Sequence, residues 1–310
     1  MNSNYKIRNV CPACCGENIN MLGSTRDRHY KIPGVWSYGA CNGCGLIRLN
    51  PMPTSQYLMT LYPSEFYAHK KNVNTYLNFK EVMRRTLFRT NLFKDPSFNG
   101  PGRILDYGCG TGWSLVKFKE LNWDCIGIEP SITAAKTGNE YYNLNIIPGT
   151  IHTIHTISIN LDNFDYIRSN HSLEHDPDIR ETLSKLIKLL NHGAKIAIGV
   201  PNADSLAFKI FGKYWWYFGA PVHTYCLTKN HLKAILEEFG LKILSVRYTG
   251  NFAGLLGSFQ IFMNRNNPDK SSTEGFFYNS PLLIFIAQIC AIILNFCKQG
   301  DSIEIVAERV

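Results

Sequence analysis

Two pairs of cysteines near the amino terminus have the spacing of metal ligands. Cys11 and Cys14 stand in "CPACCG", and Cys41 and Cys44 stand in "CNGCG". A C-x2-C turn places two sulfurs on one side, so two such turns can converge on one tetrahedral Zn²⁺. Four thiolates close the site, which then stabilises a small module and does no chemistry. Cys15 is an alternative ligand to Cys14, and the alternative to zinc is a set of ordinary core thiols.

The stretch "ILDYGCGTGW" (residues 104–113) forms a second group of residues suited to ligand binding. Its glycines alternate along the chain: Gly108, Gly110 and Gly112. Glycines allow positive φ angles and a close approach of a ligand to the backbone. A phosphate loop would need Lys after the last glycine, and a dinucleotide loop would need Gly or Ala at Trp113. The carboxylate of Asp106 would repel pyrophosphate and would suit an amine or a sulfonium ion.

The run "DCIGIEP" ends on Glu129, a second acidic residue suited to a nucleotide ligand. A carboxylate at the tip of the second strand can accept hydrogen bonds from both ribose hydroxyls, and it follows the glycine turn by the expected interval. The alternative is an ordinary acidic residue at a helix start. Because the glycine turn precedes it, we favour the ribose interpretation.

Three histidines follow strands at positions where a base is useful. "NHSLEH" carries His171 and His175 around Glu174, and "PVHTYCLT" carries His223. Imidazole can remove the proton of an acceptor group. His171, Glu174 and His175 also share one helical face, so they could bind a divalent ion. The alternative is that these side chains make structural hydrogen bonds at a helix start.

Aromatic residues supply possible ligand contacts. The run "YWWYF" (residues 214–218) can stack on a sugar ring or a base, or pack inside a buried lid. Tyr62 and Tyr67 in "LYPSEFY" have phenols that could take part in proton transfer.

The strands that position these residues alternate with helical stretches. Apolar runs end at the glycine turn and at Glu129, cover Phe164 to Ser169, and recur in "GAKIAIGVPN", "LKILSVRYTG" and "DSIEIVAERV". This order predicts an α/β fold with a parallel sheet, helices on both faces and the ligand across the carboxyl ends of the strands.

Composition excludes a disordered chain, because 45% of the 310 residues are hydrophobic and 18% are charged. The net charge of +8 favours anionic partners or reflects a solvated surface. No signal peptide is visible, so we expect a cytoplasmic protein with reduced cysteines. The segment 281–297 is apolar but contains Gln288 and Asn295, which favours a buried or surface-docked helix over a membrane span. A peripheral membrane contact or a dimer contact through this segment stays open.

The pattern D-x-G-x-G-x-G resembles motif I of the class I S-adenosylmethionine (SAM) dependent methyltransferases, and the later motifs follow in the order of that superfamily. With its paired cysteines, the chain resembles the subgroup with an N-terminal zinc-binding domain, which includes sugar C-methyltransferases and enzymes of deoxysugar and polysaccharide biosynthesis. The resemblance implies a Rossmann-like, seven-stranded, mostly parallel sheet whose last strand is antiparallel. Prolines and polar residues break any periodicity before residue 73, and Tyr76, Phe79, Met83 and Leu87 then recur at helical spacing. We therefore expect a zinc-binding module (1–72), a connecting helix (73–100) and a methyltransferase domain (101–310) with an insertion (251–301).

The resemblance also implies cofactors and site residues. SAM and a structural zinc are the expected cofactors. The expected SAM-binding residues are Asp106, Gly108, Gly110, Gly112, Glu129, Asn170 and His171. The expected catalytic residues are His223, His171, His175 and Tyr67. His223 matches the histidine of a glutamate–histidine base pair in sugar C-methyltransferases, but Val222 replaces the glutamate, which favours O-methylation. "HSLEH" resembles the E-x-x-E-H metal site of ubiquinone-pathway O-methyltransferases, with His171 at the first glutamate.

The expected reaction is methyl transfer to a hydroxyl or carbon of a nucleotide-linked sugar or a glycan, with a histidine as base. An RNA methyltransferase is a second hypothesis, although the chain has neither an N-P-P-Y type motif nor a basic stripe interleaved with aromatics, so we expect no nucleic-acid partner. A third hypothesis is a non-catalytic SAM-fold protein that binds the cofactor and transfers no methyl group.

Overall fold

A computed structural model of the chain describes residues 4–61, 101–154, 161, 163–267, 270 and 272–310. The predicted connecting helix (73–100), Tyr62 and Tyr67 lie outside these residues. The structure therefore bears on the cysteine-rich part and on most of the segment that follows residue 100.

The amino-terminal part consists of short strands and one helix. Its elements are β1 (Tyr5–Lys6), β2 (Ile19–Thr25), β3 (Trp36–Cys41), β4 (Ile47–Leu49), β5 (Met52–Pro53) and α1 (Ser55–Leu61). Strands β2, β3 and β4 form an antiparallel sheet, and the two cysteine pairs flank β2 and β3. The sheet is too small to bury a core of its own, and its buried side chains are continuous with the core of the larger part.

A seven-stranded sheet forms the centre of the larger part. Its strands are β6 (Arg103–Tyr107), β7 (Asp124–Glu129), β8 (Asn145–Pro148), β9 (Phe164–Asn170), β10 (Leu190–Pro201), β12 (Leu241–Tyr248) and β13 (Ser302–Arg309), and β11 (Tyr225–Cys226) lies outside this sheet. The spatial order is β8-β7-β6-β9-β10-β13-β12. Only β13 runs antiparallel to its neighbours, β10 and β12. The predicted Rossmann-like sheet is therefore confirmed, including the inserted last strand.

Helices connect the strands and cover the sheet. They are α2 (Leu115–Glu120), α3 (Ile132–Tyr142), α4 (Ile179–Lys188), α5 (Leu206–Phe211), α6 (Lys229–Glu238), α7 (Phe252–Met263), α8 (Phe276–Asn279) and α9 (Pro281–Phe296). Polar residues at their first turns fix where several of them begin. Thr228 and His231 cap α6 reciprocally, and the Ser131 hydroxyl accepts the Ala134 N–H at α3. The order of the strands places all carboxyl ends of the parallel strands at one edge, where ligands bind in such sheets.

Helix α9 lies within the segment for which we expected a docked helix. Ile284, Ala287, Gln288 and Ala291 are buried, whereas the opposite face exposes only apolar and cysteine side chains, including Phe285, Ile289 and Phe296. No helix within the described residues is long and apolar enough to cross a bilayer. A contact of this face with a membrane surface or a second copy stays a prediction.

The two parts of the chain share one sheet. Strand β11, which follows His223, pairs antiparallel with β4, so the spatial order of the small sheet is β11-β4-β3-β2. Beside this junction the guanidinium of Arg48, 2% exposed, donates hydrogen bonds to the carbonyls of Arg8, Asn9 and Val10. The small sheet therefore contains one strand from the segment that follows residue 100.

Replacing Arg48 tests how strongly this junction stabilises the fold. In Arg48→Met the three carbonyls lose a charged donor, so we expect the free energy of unfolding to fall by about 2–4 kcal/mol. Urea unfolding followed by circular dichroism measures it. The matched control is Arg26→Met, at an exposed arginine, which should change the value by less than about 0.5 kcal/mol. Equal stability of the two variants would contradict a structural role for the buried guanidinium.

Candidate active site

The glycine turn follows β6 at the carboxyl edge of the sheet. Gly108, Gly110 and Gly112 have φ angles of 73°, 58° and 68°, which residues with a Cβ rarely adopt. A Cβ at Gly108 would lie 2.0 Å from the Ser172 Oγ, and one at Gly112 would lie 2.7 Å from Cδ1 of Ile146. The turn is therefore restricted to glycine by backbone conformation and by close packing.

Glu129 ends β7 beside this turn. Its Oε2 accepts the Gly110 N–H at 2.8 Å, and its Oε1 accepts the Ser131 N–H at 2.9 Å. Burial raises the pKa of Glu129, and the two N–H groups oppose that effect. Each carboxylate oxygen has a second lone pair, so Glu129 can hold the turn and still accept ribose hydroxyls.

Asp106 lies on β6 and is 2% exposed. Its Oδ2 accepts the Ser114 hydroxyl at 2.8 Å and the Arg168 guanidinium at 2.9 Å. The expected electrostatic role of this carboxylate, attraction of a cationic ligand, is weakened because Arg168 already balances its charge. Arg168 was not predicted, although a charged residue inside the buried run "FDYIRSN" is a signal that a buried partner exists.

Strand β9 ends at Asn170, next to the glycine turn. The Asn170 side chain packs so closely on β10 that a Cβ on Gly199 would lie 2.2 Å from its Oδ1. His171 follows with φ 53°, a left-handed conformation, and its N–H donates to the Gly199 carbonyl at 2.8 Å. The turn after β9 therefore fixes the direction of the His171 side chain at the sheet edge.

Glu174 is the centre of the histidine cluster and is 1% exposed. Its Oε1 lies 3.3 Å from His171 Nδ1 and 3.9 Å from His175 Nε2. Its Oε2 has no hydrogen-bond partner among the described residues. Burial alone would raise the pKa of Glu174, but the hydrogen bond from His171 and the nearby imidazoles lower it to about 2. A buried, ionised carboxylate therefore lies beneath the histidines.

His175 and His223 pack edge to face beside this carboxylate, with ring centroids 4.6 Å apart. His175 Nδ1 lies 3.1 Å from the Val222 carbonyl, and His223 Nδ1 lies 2.7 Å from the Tyr217 carbonyl. Burial lowers the pKa of both imidazoles, that of His223 to about 3, so both are neutral at pH 7.

The structure brings all three predicted histidines together around Glu174 and gives them different surroundings. Val222, which is 3% exposed, stands where the resemblance would place a carboxylate, and Glu174 supplies a carboxylate from another segment. The glutamate–histidine pair with a hydrogen bond is Glu174–His171, not a pair at residues 222–223. The helical face expected for "HSLEH" is a single 3-10 turn, Leu173–His175.

The aromatic run 214–218 divides into buried and half-buried residues. Trp215, 1% exposed, donates from Nε1 to Asp301 at 2.9 Å, and Phe218 is buried. Trp216 stacks on Tyr278 at 5.2 Å. Tyr217 stacks on His171 with ring centroids 5.7 Å apart and planes 22° apart. Tyr217 is therefore the member of the run that lies at the histidine cluster.

The four cysteine sulfurs of the two C-x2-C turns lie together. Cys11 Sγ is 3.6 Å from Cys44 Sγ, and Cys14 Sγ is 3.5 Å from Cys41 Sγ. Cys15 is outside the group, with its backbone in the left-handed region. Burial would raise the pKa of Cys41, but the N–H groups of residues 43 and 44 and neighbouring thiols lower it to about 7.

Residues 77–246, more than half of the chain, match the sequence profile of the family described as "Methyltransferase domain". The chain belongs to this methyltransferase family. This chain is similar to the O-methyltransferase rstn1 of Aspergillus nomiae. The two are 28% identical over 169 residues, which are 51% of this chain and 72% of rstn1.

One solved structure similar to this chain is a SAM-dependent methyltransferase from Archaeoglobus fulgidus. The two are 22% identical with a TM-score of 0.45, and the match covers 74% of this chain and 92% of that chain. Another is the magnesium protoporphyrin IX methyltransferase of Synechocystis with bound S-adenosylhomocysteine, with 11% identity, a TM-score of 0.44 and coverage of 68% and 75%. Family membership and the seven-stranded fold make the chain a SAM-dependent methyltransferase.

Substitution of Gly108 tests whether the glycine turn binds SAM. In Gly108→Ala the new methyl group meets Ser172 and φ is strained, so we expect SAM affinity to fall at least about tenfold. Isothermal titration with SAM measures it. Gly193→Ala is the matched control, because Gly193 has φ 73° but nothing within 4 Å of an added Cβ and lies at the start of β10. Unchanged SAM affinity in Gly108→Ala would move the cofactor away from this turn.

Proposed function

We propose that the methyltransferase transfers the methyl group of SAM to a hydroxyl of a nucleotide-linked sugar or a glycan, with His171 as the base. The observation that carries the proposal is the hydrogen bond between His171 and the buried carboxylate of Glu174. An ionised carboxylate only accepts hydrogen bonds, so His171 Nδ1 carries the hydrogen and Nε2 keeps its lone pair. A carboxylate that fixes the tautomer of a histidine in this way prepares it as a base.

In the proposed reaction the acceptor oxygen attacks the methyl carbon in line with the bond to sulfur. The new C–O bond forms, the C–S bond breaks and its electron pair stays on sulfur, which leaves S-adenosylhomocysteine. The proton of the hydroxyl passes to His171 Nε2, and Glu174 stabilises the resulting imidazolium by its charge. His171 follows β9 at the same edge of the sheet as the glycine turn, which supports this role.

His171 suits the base role better than His223. The His171 side chain is 29% exposed, so an acceptor can reach it. His223 has a pKa of about 3 because of its burial, and a group of such low basicity removes a proton poorly at neutral pH. Removal of a proton from a carbon acid would be harder still, which supports oxygen as the acceptor atom.

Several features support the proposed ligands. For SAM, the glycine turn offers close backbone approach, and Glu129 at the tip of β7 can accept the ribose hydroxyls. For the acceptor, the ring of Tyr217 beside His171 offers a flat face to a sugar, and the net charge of +8 favours a nucleotide-linked anion. The relative rstn1 is named an O-methyltransferase, which agrees with a hydroxyl acceptor.

A base role for His171 predicts a separation of rate from binding. His171→Gln keeps an N–H for Glu174 but has no basic nitrogen, so we expect single-turnover methyl transfer to slow at least about 100-fold while SAM affinity stays within about twofold. Formation of S-adenosylhomocysteine from a panel of nucleotide-linked sugars, oligosaccharides and RNA measures the rate. His192→Gln, at an exposed histidine near the opposite end of β10, is the control and should keep full activity.

The outcomes of this panel separate the competing functions. Transfer to a sugar hydroxyl that depends on His171 supports the proposal. Transfer to RNA, with binding that weakens steeply with salt, would replace it by an RNA methyltransferase. SAM binding without transfer to any acceptor would favour a non-catalytic protein, and an unchanged rate in His171→Gln would exclude this histidine as the base.

We also propose that Cys11, Cys14, Cys41 and Cys44 bind a structural zinc. A tetrahedral zinc with bonds of about 2.3 Å holds its sulfurs about 3.8 Å apart, close to the 3.5 and 3.6 Å between the paired sulfurs. The lowered pKa of Cys41 favours the thiolate that a metal requires, whereas burial raises the pKa of Cys11 and of Cys44, so a bound metal would have to offset that effect. The carbonyl of Cys44 accepts a hydrogen bond from His231 Nε2 of α6, which ties this cluster to the larger sheet.

Removal of one thiolate tests the zinc proposal. Cys41→Ser should reduce bound zinc from one to none per chain and lower the unfolding temperature, because metal binding and folding of the module are coupled. The control is Cys15→Ser, which changes the same chemical group next to the cluster and should keep the zinc. Elemental analysis with thermal unfolding measures both. The proposal would be contradicted if wild-type protein stripped of zinc had the same unfolding temperature as untreated wild-type protein.

A further inference from the structure

We propose that Glu174, His175 and His223 bind a divalent transition-metal cation, a site separate from the four cysteines. One ligand atom from each of these three side chains lies within 4.8 Å of the others. The set differs from the one expected from "HSLEH", because His223 from a distant segment takes part and His171 bonds to the same carboxylate instead. The cation site itself is independent of the proposed function, and only the role of the cation in methyl transfer rests on that function.

The hydrogen bonds of the two imidazoles prepare both rings as ligands. Carbonyl oxygens only accept, so the Nδ1 atoms of His175 and His223 carry hydrogens, which they donate to Val222 and Tyr217. Each neutral ring therefore has its lone pair on Nε2. A histidine that binds a metal almost always donates its other N–H to a carbonyl or a carboxylate, which fixes the ring and increases its basicity. Both histidines show that arrangement.

The buried carboxylate supplies the second, independent observation. Glu174 is 1% exposed, and its Oε2 has no hydrogen-bond partner among the described residues. A buried carboxylate with an unpartnered oxygen is costly, and a cation bound by this carboxylate and the two imidazoles would remove that cost.

The donor set selects the class of cation. Two imidazole nitrogens and one carboxylate oxygen suit Zn²⁺, Fe²⁺, Co²⁺ or Ni²⁺, whereas Mg²⁺ and Ca²⁺ prefer oxygen ligands. Bonds of about 2.1 Å would require ligand atoms about 3–4 Å apart, so binding would draw the side chains together by about an ångström. Three protein ligands leave a coordination position open, as in catalytic sites.

The open position gives the site a use in the proposed reaction. An oxygen of the acceptor next to the methylated hydroxyl could occupy it, because a cation binds and orients sugar hydroxyls as a Lewis acid. His171 contacts Glu174 but is not one of the three ligands, so it stays available as the base. The same carboxylate would then hold the base through one contact and the cation through another.

The test is a titration of the full chain, with its cysteine site loaded with zinc, by Co²⁺. We expect one Co²⁺ to bind per chain with weak visible bands and without the intense thiolate-to-cobalt band that occupation of the cysteine site would give. Glu174→Gln and His223→Gln should each weaken Co²⁺ binding by more than about 100-fold, since loss of a mere supporting group already costs 10–100-fold. His192→Gln is the control and should bind as the wild type does.

SAM titration of each variant shows whether it is folded, which keeps a negative result interpretable. Absence of Co²⁺ binding outside the cysteines, or binding that both variants keep, would overturn the cation site. Co²⁺ binding without methyl transfer to any acceptor would leave the site standing and overturn the proposed function. Transfer to a sugar hydroxyl by protein that binds no Co²⁺ would support the proposed function and overturn the cation site.

Discussion

The candidate active site depends on one residue, Thr224, that is bonded both to the small sheet and to the 3-10 turn that carries Glu174. The Leu49 N–H of β4 donates to its carbonyl at 3.0 Å, while its own N–H and hydroxyl both donate to the Glu174 carbonyl, at 2.8 and 2.9 Å. These bonds fix the distance between the segment that carries His223 and the turn that carries Glu174. The histidine cluster exists because two segments about fifty residues apart in sequence are held together here.

The two buried carboxylates of the site, Asp106 and Glu174, have different charge partners. Asp106 and Arg168 neutralise each other inside the sheet, so this pair leaves no net charge next to the glycine turn. Glu174 has no arginine or lysine among the ion-pair partners found in the described residues, only histidines. A carboxylate surrounded by imidazoles keeps a charge that can stabilise an imidazolium or a cation, whereas a permanent partner would cancel it.

The sheet could be predicted from sequence because its signals are local. Apolar runs that end in a glycine turn or in Glu129 identify strand and edge within a few residues. The partners of Asp106 and of the histidines could not be predicted, because they come from segments far apart in sequence and have no shared periodicity. The sequence shows that residue 222 is a valine and not a carboxylate. Only the fold shows that Glu174, from another segment, lies beside the histidines. The pairing of β11 with β4 is a non-local contact of the same kind.

Paired strands and one hydrogen bond connect the cysteine cluster to the candidate active site. Strand β3 ends at Cys41 and pairs with β4, and β4 pairs with β11 directly after His223. In addition, His231 of α6 donates to the Cys44 carbonyl, so both links lead to segments that follow His223. A closed four-thiolate site does no chemistry, yet its rigidity would be transmitted through three paired strands to the position of His223. The small module then adds a second support to a loop that the larger part already holds through the bonds of Thr224 to the Glu174 carbonyl.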